Sequence, residues 1–334
     1  MNPSKTFCLA LLLSATALAG PVSAEGIRMV LSNDNNEKGL KGQTFEKFIE
    51  EAKSRLGDDL TTEMHHSGTL FDQQTQIQGL QLGEVQVISP TIGIYTSLVP
   101  EMNVFELPFL LDTPDKIVAA MEDPEIRAIF VPKLEKKGIE PIAVWMNGPR
   151  DLGYRGSKAV VAPADVKGMK IRVQSAPVYV QTFEVLGANA VGINWSEAPT
   201  ALEQGVIDGA EVTPNSWHGS GTWQMIDQIT LTDHQYSAYV VGANKAWWDG
   251  LSDDARGKLQ EALDVATQWN IEQAEKINAD DIAFIEGQGK TINRLTPEQR
   301  AAWSSAMEPV WKTQGYDLVG DEIMAKLKAI AGVK

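Results

Sequence analysis

The feature that most constrains this chain is a long helical pattern near its carboxyl end. It begins at the capping segment Ser252-Asp253-Asp254 and continues to Gly287 without a proline. At 1.5 Å per residue, about 35 helical residues span on the order of 50 Å. The core of one small domain is not that long, so the pattern predicts a helix that lies across two domains. A length of 334 residues also fits two domains, because domains usually hold roughly 100 to 200 residues.

The rest of the chain alternates short apolar runs with helical patterns. A β-run at Ile27–Leu31 precedes apolar residues that are spaced along one helix face as far as Leu56. Further strands are expected at Val85–Ser89, Pro141–Met146, Met169–Val173, Ala190–Ile193 and Val206–Val212. Thr296, Pro297 and Gln299 form a capping box, which predicts another helix. The predicted fold class is α/β, because this alternation is typical of mixed or parallel sheets flanked by helices.

The first 24 residues have the composition of an export signal. Lys5 precedes an uncharged apolar run at Phe7–Leu13, and the small residues Val22-Ser23-Ala24 close the segment. This pattern predicts a secretory signal peptide over residues 1–24, with cleavage after Ala24. The apolar run is too short to span a bilayer, so we expect a soluble, exported, periplasmic protein. Cys8, the single cysteine, leaves with the signal, so the mature chain holds no disulfide.

The balance of charge excludes several classes of partner. The chain carries 44 acidic and 29 basic side chains, for a formal net charge of −15. Neutralising the phosphates of a nucleic acid, or docking on anionic lipid, requires a basic face. We therefore expect no nucleic-acid partner, and any anion that the protein binds must be captured by local positive groups.

Motifs for catalysis and for metal binding are missing from the sequence. The chain has four histidines: His65, His66, His218 and His234. None forms the i, i+4 pair with an intervening glutamate that zinc proteases use. The segment Asn33–Gly39 resembles the start of a calcium loop, yet Lys38 stands at its fifth position and Phe45 at its twelfth, where a glutamate is required. No nucleophile elbow, phosphate loop or dinucleotide fingerprint stands in a strand-to-helix context, so we expect no catalytic residue, metal or cofactor.

One arginine is placed where an α/β sheet binds ligands. In the run Gly168–Val173, alternation buries Met169, Ile171 and Val173 and turns Arg172 to the other face. Arg172 stands near the carboxyl end of its expected strand, and open α/β sheets bind ligands at that end. An arginine on the polar face of a strand is also commonly a solvated charge or a surface ion pair, so this placement alone leaves both interpretations open.

A series of motifs then covers nearly the whole mature chain in order. The motifs are Ser67–Leu70, Leu80–Gly83, Glu106–Leu111, Asn147–Arg150, Ala162–Val173, Leu186–Ala188, Trp195–Glu197, Ala201–Glu211, Thr232–His234 and Trp247-Trp248. Together they resemble the solute-binding subunits of tripartite ATP-independent periplasmic (TRAP) transporters, the DctP-like family. Many motifs at consistent spacing are far more specific than any one of them.

The resemblance implies an architecture and a function. It implies a two-domain periplasmic binding protein fold with mixed sheets, a hinge and a long domain-spanning helix. Domain I is expected at residues 25–147 plus 236–277, and domain II at 148–235 plus 278–334. The implied function is the capture of a small organic anion, a carboxylate such as a dicarboxylate or a sugar acid, and its delivery to membrane permease subunits. Such a receptor is not an enzyme, and a monomer is the default expectation.

The resemblance also implies binding residues in domain II. Arg172 matches the family arginine that forms a two-pronged salt bridge with the ligand carboxylate, a role that suits its planar fork of donors. Arg150 matches a second arginine that commonly contacts the ligand. Trp195 falls at an aromatic position that packs on the ligand, although a core tryptophan at a helix start fits the sequence equally well. Val212 stands where several members have a ligand-binding asparagine, so Asn215 or Trp217 is expected to serve instead.

Three polar residues are the candidates in domain I. Asp72 and Gln73 follow the Gly-Thr-Leu motif, where other members place specificity residues, and Asn33 lies in the loop after the first strand. Each also fits an ordinary role as a helix cap or a loop polar residue.

Two alternatives remain open at this point. One keeps the receptor role for a sulfonate or a zwitterion such as an ectoine-like compound, with Trp195 and Trp217 as a cation-π wall. The other is an exported hydrolase that acts on an anionic substrate, which requires a nucleophile-base pair or a metal triad in the cleft.

Overall fold

A computed structural model describes residues 26–333, so the expected signal peptide over residues 1–24 lies outside the described residues. The strands are β1 Ile27–Ser32, β2 Leu60–His65, β3 Val87–Ile88, β4 Ile139–Pro149, β5 Asp151–Tyr154, β6 Lys170–Val173, β7 Asn189–Gly192, β8 Gly209–Val212, β9 Gln228–Leu231, β10 Tyr236–Asn244 and β11 Thr291–Arg294. The helices are α1 Leu40–Leu56, α2 Gln76–Leu82, α3 Ile92–Tyr95, α4 Pro114–Glu122, α5 Pro124–Lys136, α6 Pro177–Glu184, α7 Ala198–Glu203, α8 Pro214–Ser220, α9 Lys245–Gly250, α10 Asp253–Gly287, α11 Pro297–Met307 and α12 Asp317–Ala331.

The first sheet has the strand order β2-β1-β3-β10-β4. Its strand β1 pairs in parallel with β2 and β3, whereas β10 runs antiparallel to β3 and β4. Met29 and Leu31 face the apolar side of α1, and Val30 between them packs into the core on the opposite face. Both faces of β1 are therefore buried, which explains why its sequence is nearly continuously apolar.

The second sheet has the order β11-β9-β5-β8-β6-β7. Strand β6 lies between β7 and β8 and is parallel to both, while β5 is antiparallel to β8 and β9. The α/β class with two mixed sheets is thus confirmed. The sequence patterns placed strands of this sheet near β6, β7 and β8 but did not indicate β5, β9 and β11. All six strands have four residues, and such short runs carry little periodicity.

The long helix α10 is confirmed and joins the two sheets. It begins at Ser252, whose hydroxyl accepts a hydrogen bond from the Ala255 amide at 3.2 Å. Its first half packs against α1 and β4, and its last turns pack against α8 and β11. Two buried asparagines on its inner face bond to the β4 backbone: the Nδ2 of Asn270 donates to the Met146 carbonyl at 3.1 Å, and that of Asn278 donates to the Asn147 carbonyl at 2.8 Å.

The chain crosses between the sheets at two adjacent points beside α10. One crossing leads from β4 into β5 and the other from β9 into β10, and the end of β4 pairs with the start of β10 through Pro149 and Tyr236. Gly148, in the first crossing, has a φ of 138°. Glycine is needed there for a second reason, since a Cβ would overlap the side-chain amide of Asn278.

The carboxyl-terminal helices are divided between the two halves. Helix α11 starts at the expected capping box, in which the Thr296 hydroxyl accepts from the Gln299 amide at 3.2 Å, and it packs near the turn Pro163–Val166. Helix α12 packs instead against α4, and Lys326 forms ion pairs with Asp123 and Glu125. The expected assignment of all residues 278–334 to domain II therefore does not describe the contacts of α12.

Within residues 26–333, each helix is too short or too polar to span a membrane.

The crossing at Gly148 gives a testable consequence for stability. We expect Gly148→Ala to lower the free energy of unfolding by about 1–3 kcal/mol, because it combines a left-handed φ with overlap at Asn278. Gly257→Ala is the matched control, because Gly257 lies inside α10 with nothing near its Cβ position, and it should stabilise the protein by about 0.5–1 kcal/mol. Urea titrations of both variants provide the measurement, and equal effects of the two substitutions would contradict the assignment.

Candidate functional site

A cleft with a volume of about 580 Å³ lies between the two sheets. One wall is the loop Asp34–Gly39, which follows β1, and the other includes Trp195 and the first turns of α8. The cleft continues inward to a cavity of about 20 Å³, which we call the inner cavity. Its lining residues are Asp34, Asn35, Lys41, Gln73, Thr91, Asn147, Arg150, Arg172, Gln174, Trp195, Val212, Ser216 and Tyr239.

Arg172 lines the inner cavity from β6. It pairs in register with Val191 of β7 and Ala210 of β8, so both neighbouring strands fix its backbone. Its guanidinium donates from Nε to the Ile193 carbonyl at 2.9 Å and from an Nη to the side-chain oxygen of Gln73 at 3.2 Å. These partners come from both walls of the cleft, and both are uncharged.

Within residues 26–333, the charge of Arg172 has no counterion. The residue is 1% exposed, and no carboxylate among residues 26–333 lies within ion-pair distance of it. Burial lowers the pKa of Arg172 to about 10; the Glu211 carboxylate opposes this shift and the Arg150 charge adds to it. Arg172 is thus cationic at neutral pH. A buried cation that is held only by neutral groups is costly, and an anion bound beside it would reduce that cost.

Arg150 behaves differently from the sequence expectation of a second ligand-contacting arginine. Its guanidinium grips Glu211 of β8 with two donors, at 2.5 and 2.7 Å, and also donates to the Glu211 carbonyl at 2.7 Å. Both side chains are fully buried, and the guanidinium lies 4.7 Å from the centre of the Tyr179 ring. Although burial by itself would lower it, the adjacent Glu211 carboxylate raises the pKa of Arg150. Arg150 lines the inner cavity with its charge already neutralised.

The two candidate tryptophans have different environments. Trp195 is half-buried at the start of a short helical turn, lines both the cleft and the inner cavity, and has its ring centre 5.4 Å from the Arg172 guanidinium. Trp217 is fully buried in the core of the second sheet, directly over Gly153, where a Cβ would overlap its ring. It meets Trp195 edge to face at 5.6 Å. Trp217 thus lies behind Trp195 and supports it, and its expected contact with the ligand stays a prediction.

Asn215 is committed to a network of amides at the crossing. Its Nδ2 donates to the Asn147 carbonyl at 2.7 Å and to the Asn278 side-chain oxygen at 3.0 Å, and its backbone amide donates to the same Asn278 oxygen at 3.0 Å. Asn147 also accepts from the Thr213 hydroxyl at 3.1 Å. Asn215 does border the cleft, but the bonds of its side-chain amide join α8, β4 and α10. Val212, the position that departs from the family pattern, lines the inner cavity with an apolar surface.

The three candidates expected in domain I, Gln73, Asp72 and Asn33, also have different environments. Gln73 is buried and accepts from Arg172, so the structure brings these two expected residues together. Asp72 caps the following turn, with Oδ1 accepting from the amides of Gln74 and Thr75 at 2.9 Å each. Asn33 accepts from the Asn35 amide at 3.0 Å, which stabilises its own loop. Neither Asp72 nor Asn33 lines the cleft or the inner cavity.

Sequence reasoning missed an ion pair that lines the inner cavity opposite Arg172. Lys41 in the first turn of α1 donates to Asp34, and its ammonium lies 4.4 Å from the centre of the Tyr239 ring. The signal was available, since Asp34 stands two residues after β1 and Lys41 is the second residue of α1. The sequence analysis compared this loop with a calcium site and named only Asn33 in it as a binding candidate. Within residues 26–333 no group of three or more histidines and carboxylates is arranged to hold a metal ion.

Glu106 is a buried carboxyl group near Arg150 whose pKa is strongly raised. It is fully buried at the end of the turn Pro100–Glu106, where it accepts from the Gly93 amide at 3.1 Å and from the side chain of Gln235. Burial raises the pKa of Glu106 to about 7, against the opposing effect of the Arg150 charge. Glu106 therefore titrates near neutral pH between the two halves of the protein.

Comparison with known proteins gives a consistent picture. The family model described as bacterial extracellular solute-binding protein, family 7 (DctP) matches residues 31–317. The C4-dicarboxylate-binding periplasmic protein DctP of Rhodobacter capsulatus is 30% identical over 323 residues, which cover 96% of this chain and 94% of that protein.

Two solved structures of TRAP periplasmic solute-binding proteins superpose closely. One, from Shewanella oneidensis with bound succinate, has a TM-score of 0.87 and 26% identity and covers 92% of this chain and 99% of its own. The other, from Roseobacter denitrificans with bound β-D-glucuronate, has a TM-score of 0.82 and 26% identity and covers 91% of this chain and 98% of its own. The shared architecture thus accommodates both a dicarboxylate and a sugar acid in other proteins.

The shifted pKa of Glu106 predicts a pH dependence of stability. Between its ordinary value of 4.5 and about 7, native Glu106 keeps a proton that the unfolded chain has lost, so this group makes stability fall as pH rises. Glu106→Gln removes that contribution. We expect the Tm of the variant, relative to that of wild type, to rise from pH 4.5 to 7 and then level off. Glu84→Gln, at an exposed glutamate, is the control, and parallel Tm profiles for wild type and Glu106→Gln would refute the prediction.

Proposed function

Since this chain belongs to the DctP family of bacterial extracellular solute-binding proteins, we propose that it is the solute receptor of a TRAP transporter. In this role it captures a small organic carboxylate between its two sheets and delivers it to membrane permease subunits. The ligand named for the R. capsulatus relative is a C4-dicarboxylate, and those of the two superposed structures are succinate and glucuronate. All three are organic acids, which supports a carboxylate as the ligand of this chain.

The buried and uncompensated charge of Arg172 is the observation that carries the proposal. Its planar fork matches the geometry of a carboxylate, and a charge-assisted pair of hydrogen bonds would supply the missing counterion. Trp195 beside the guanidinium offers an apolar face for the carbon skeleton. Because the inner cavity excludes bulk water, each of these bonds is stronger there than at the surface.

The size of the inner cavity indicates how the ligand enters. A volume of about 20 Å³ holds roughly one water molecule, so an organic acid can enter only when the walls separate. The two adjacent crossings and α10 are the elements that join the halves. We propose that they form the hinge, and that the ligand shifts the population toward a closed state that the permease recognises.

The domain boundaries follow from the same hinge. We propose domain I at residues 25–147 plus 236–277 and domain II at 148–235 plus 278–334, except that residues 317–331 of α12 move with domain I. The packing of α12 against α4 supports this exception. Motion about this boundary would open the cleft.

Location and partners are the less direct part of the proposal. Named relatives in the family are periplasmic, and we propose that a signal peptide cleaved after Ala24 exports this chain. We further propose that it acts as a monomer, that it binds no nucleic acid, and that it has no catalytic activity, in line with relatives that are solute-binding proteins. The burial of Trp217 leaves Trp195 without an aromatic partner facing the ligand, which disfavours a two-tryptophan wall for a zwitterion.

Substitutions of the two arginines should have opposite effects. We expect Arg172→Ala to abolish the Tm rise that a carboxylate ligand produces, while the ligand-free Tm stays equal to that of wild type or exceeds it, because an uncompensated buried charge has been removed. Arg150→Ala strands the buried Glu211 carboxylate, so it should lower the free energy of unfolding by about 3–5 kcal/mol. Differential scanning fluorimetry of both variants, with and without a panel of organic acids, provides the measurement.

The panel also defines how the proposal can fail. At 100 times Kd, a ligand should stabilise the wild type by roughly 2.7 kcal/mol. Arg172→Lys is a matched variant that keeps the charge but loses the fork, and it should retain only weak binding. Unchanged ligand shifts in Arg172→Ala, or no shift of the wild type with any acid, would rule out the proposed site.

Export gives a separate prediction. When the full chain is expressed in a Gram-negative host, the periplasmic fraction should contain a protein that begins at Glu25, as intact-mass spectrometry can show. An Ala24→Arg variant should accumulate uncleaved, because the cleavage site requires a small residue. A full-length mass in the periplasm for the wild type would contradict the cleavage site.

A further inference from the structure

We propose that the bound acid is a hydroxylated monocarboxylate, of the sugar-acid or hydroxy-acid class, and that Asp34 selects it over dicarboxylates. This inference rests on the proposed function, because it takes the pairing of the ligand carboxylate with Arg172 as given. It adds a second specificity-determining group on the opposite wall of the inner cavity.

The balance of charge in the inner cavity leaves room for one negative charge. Three cations line it: Lys41, Arg150 and Arg172. Arg150 is neutralised by Glu211 and Lys41 by Asp34, and both pairs are buried. Arg172 is the one lining cation of the described chain without an anionic partner. A ligand that carries two carboxylates would leave the second without a counterion, which is costly in a site that is closed to water.

Lys41 is not free to act as that second counterion. Its side chain is 1% exposed and that of its partner Asp34 is 7% exposed. The ammonium also donates to the Ser89 carbonyl at 3.3 Å and lies over the Tyr239 ring. Its ammonium therefore already binds a carboxylate, a carbonyl and a ring of the protein, and a ligand carboxylate placed on it would meet the like charge of Asp34.

Asp34 presents an acceptor to the ligand instead. Its Oδ1 binds Lys41, whereas no donor among residues 26–333 lies within hydrogen-bond distance of its Oδ2. A carboxylate oxygen accepts hydrogen bonds and cannot donate them. A hydroxyl group on the ligand would satisfy Oδ2 with a charge-assisted bond, whereas a second ligand carboxylate would meet like charge at the same place.

The remaining walls fit the same ligand class. Polar lining residues other than the ion pairs carry uncharged amides or hydroxyls: Asn35, Gln73, Thr91, Asn147, Gln174 and Ser216. Such groups suit a chain of hydroxyls, each of which both donates and accepts. Lys38 lies at the mouth of the cleft, yet Glu37 lies beside it, and both are exposed. Water screens charges at such a position.

The test compares ligands on the purified mature protein and then changes Asp34. Isothermal titration calorimetry would measure Kd for D-galactonate, D-glucuronate, L-malate and succinate. We expect at least one of the two sugar acids to bind wild type about tenfold or more tightly than succinate, the scale of one hydrogen bond to a charged group. Asp34→Asn should weaken sugar-acid binding by about tenfold and strengthen succinate binding, because the Lys41 charge then becomes available to a second carboxylate. Asp58→Asn, the same change at an exposed aspartate on the domain I surface, is the matched control.

The outcomes separate this inference from the proposed function. If no acid of either class binds the wild type, the proposed function fails. If succinate binds as tightly as the sugar acids, or if Asp34→Asn weakens all four ligands equally, the proposed function stands and the role of Asp34 is wrong. Should Asp34→Asn fail to fold, Asp34→Glu keeps the pair with Lys41 while moving the free oxygen; it should weaken sugar-acid binding with no gain for succinate, and unchanged sugar-acid binding would overturn the proposal.

Discussion

The buried pair of Arg150 and Glu211 is the interaction on which the rest of the site depends. Glu211 is the one acidic side chain on β8 next to the inner cavity, and Arg150 donates a hydrogen bond to each of its two carboxylate oxygens. If Glu211 were turned toward Arg172 instead, the strand that holds the ligand arginine would already be neutral. By binding Glu211 with two donors, Arg150 leaves Arg172 without a carboxylate partner among residues 26–333, so the Arg150–Glu211 pair determines the charge of the inner cavity.

The amide network at the crossing connects this charge arrangement to motion. Asn147, Asn215 and Asn278 come from β4, α8 and α10, and their bonds meet at the point where the chain passes from one sheet to the other. Amides donate and accept with little dependence on the surrounding charge, so they can hold a crossing together while the sheets rotate. Gly148 removes the side chain that would otherwise obstruct Asn278. Asn147 thus belongs both to the lining of the inner cavity and to the crossing that we propose as the hinge.

Sequence reasoning succeeded where a signal is local and failed where partners are distant. Alternation placed Arg172 at the end of a strand, and the pattern without proline predicted α10. The same reasoning could not predict that Arg150 pairs with Glu211, which lies 61 residues later in the chain. The sequence around Arg150 does not distinguish an arginine in an internal ion pair from an arginine that binds a ligand. The burial of Trp217 behind Trp195 was not predictable for the same reason, since it depends on the fold of the whole second sheet. Lys41 and Asp34 are close in sequence, yet their pairing could not be predicted, because it depends on α1 beginning at the cleft.

Under the proposed function, the ligand supplies the negative charge that Arg172 lacks in the protein alone. If the ligand-free protein buried no uncompensated cation, it would be more stable. Closure would then bury no group that lacks a partner, so an anion would not favour the closed state. With Arg172 unpaired, the closed state is costly until an anion arrives and favourable afterwards. The differential affinity of open and closed states is what any ligand-driven switch requires. Under the proposed function, Arg172 is the group that would provide it, because Lys41 and Arg150 already have partners.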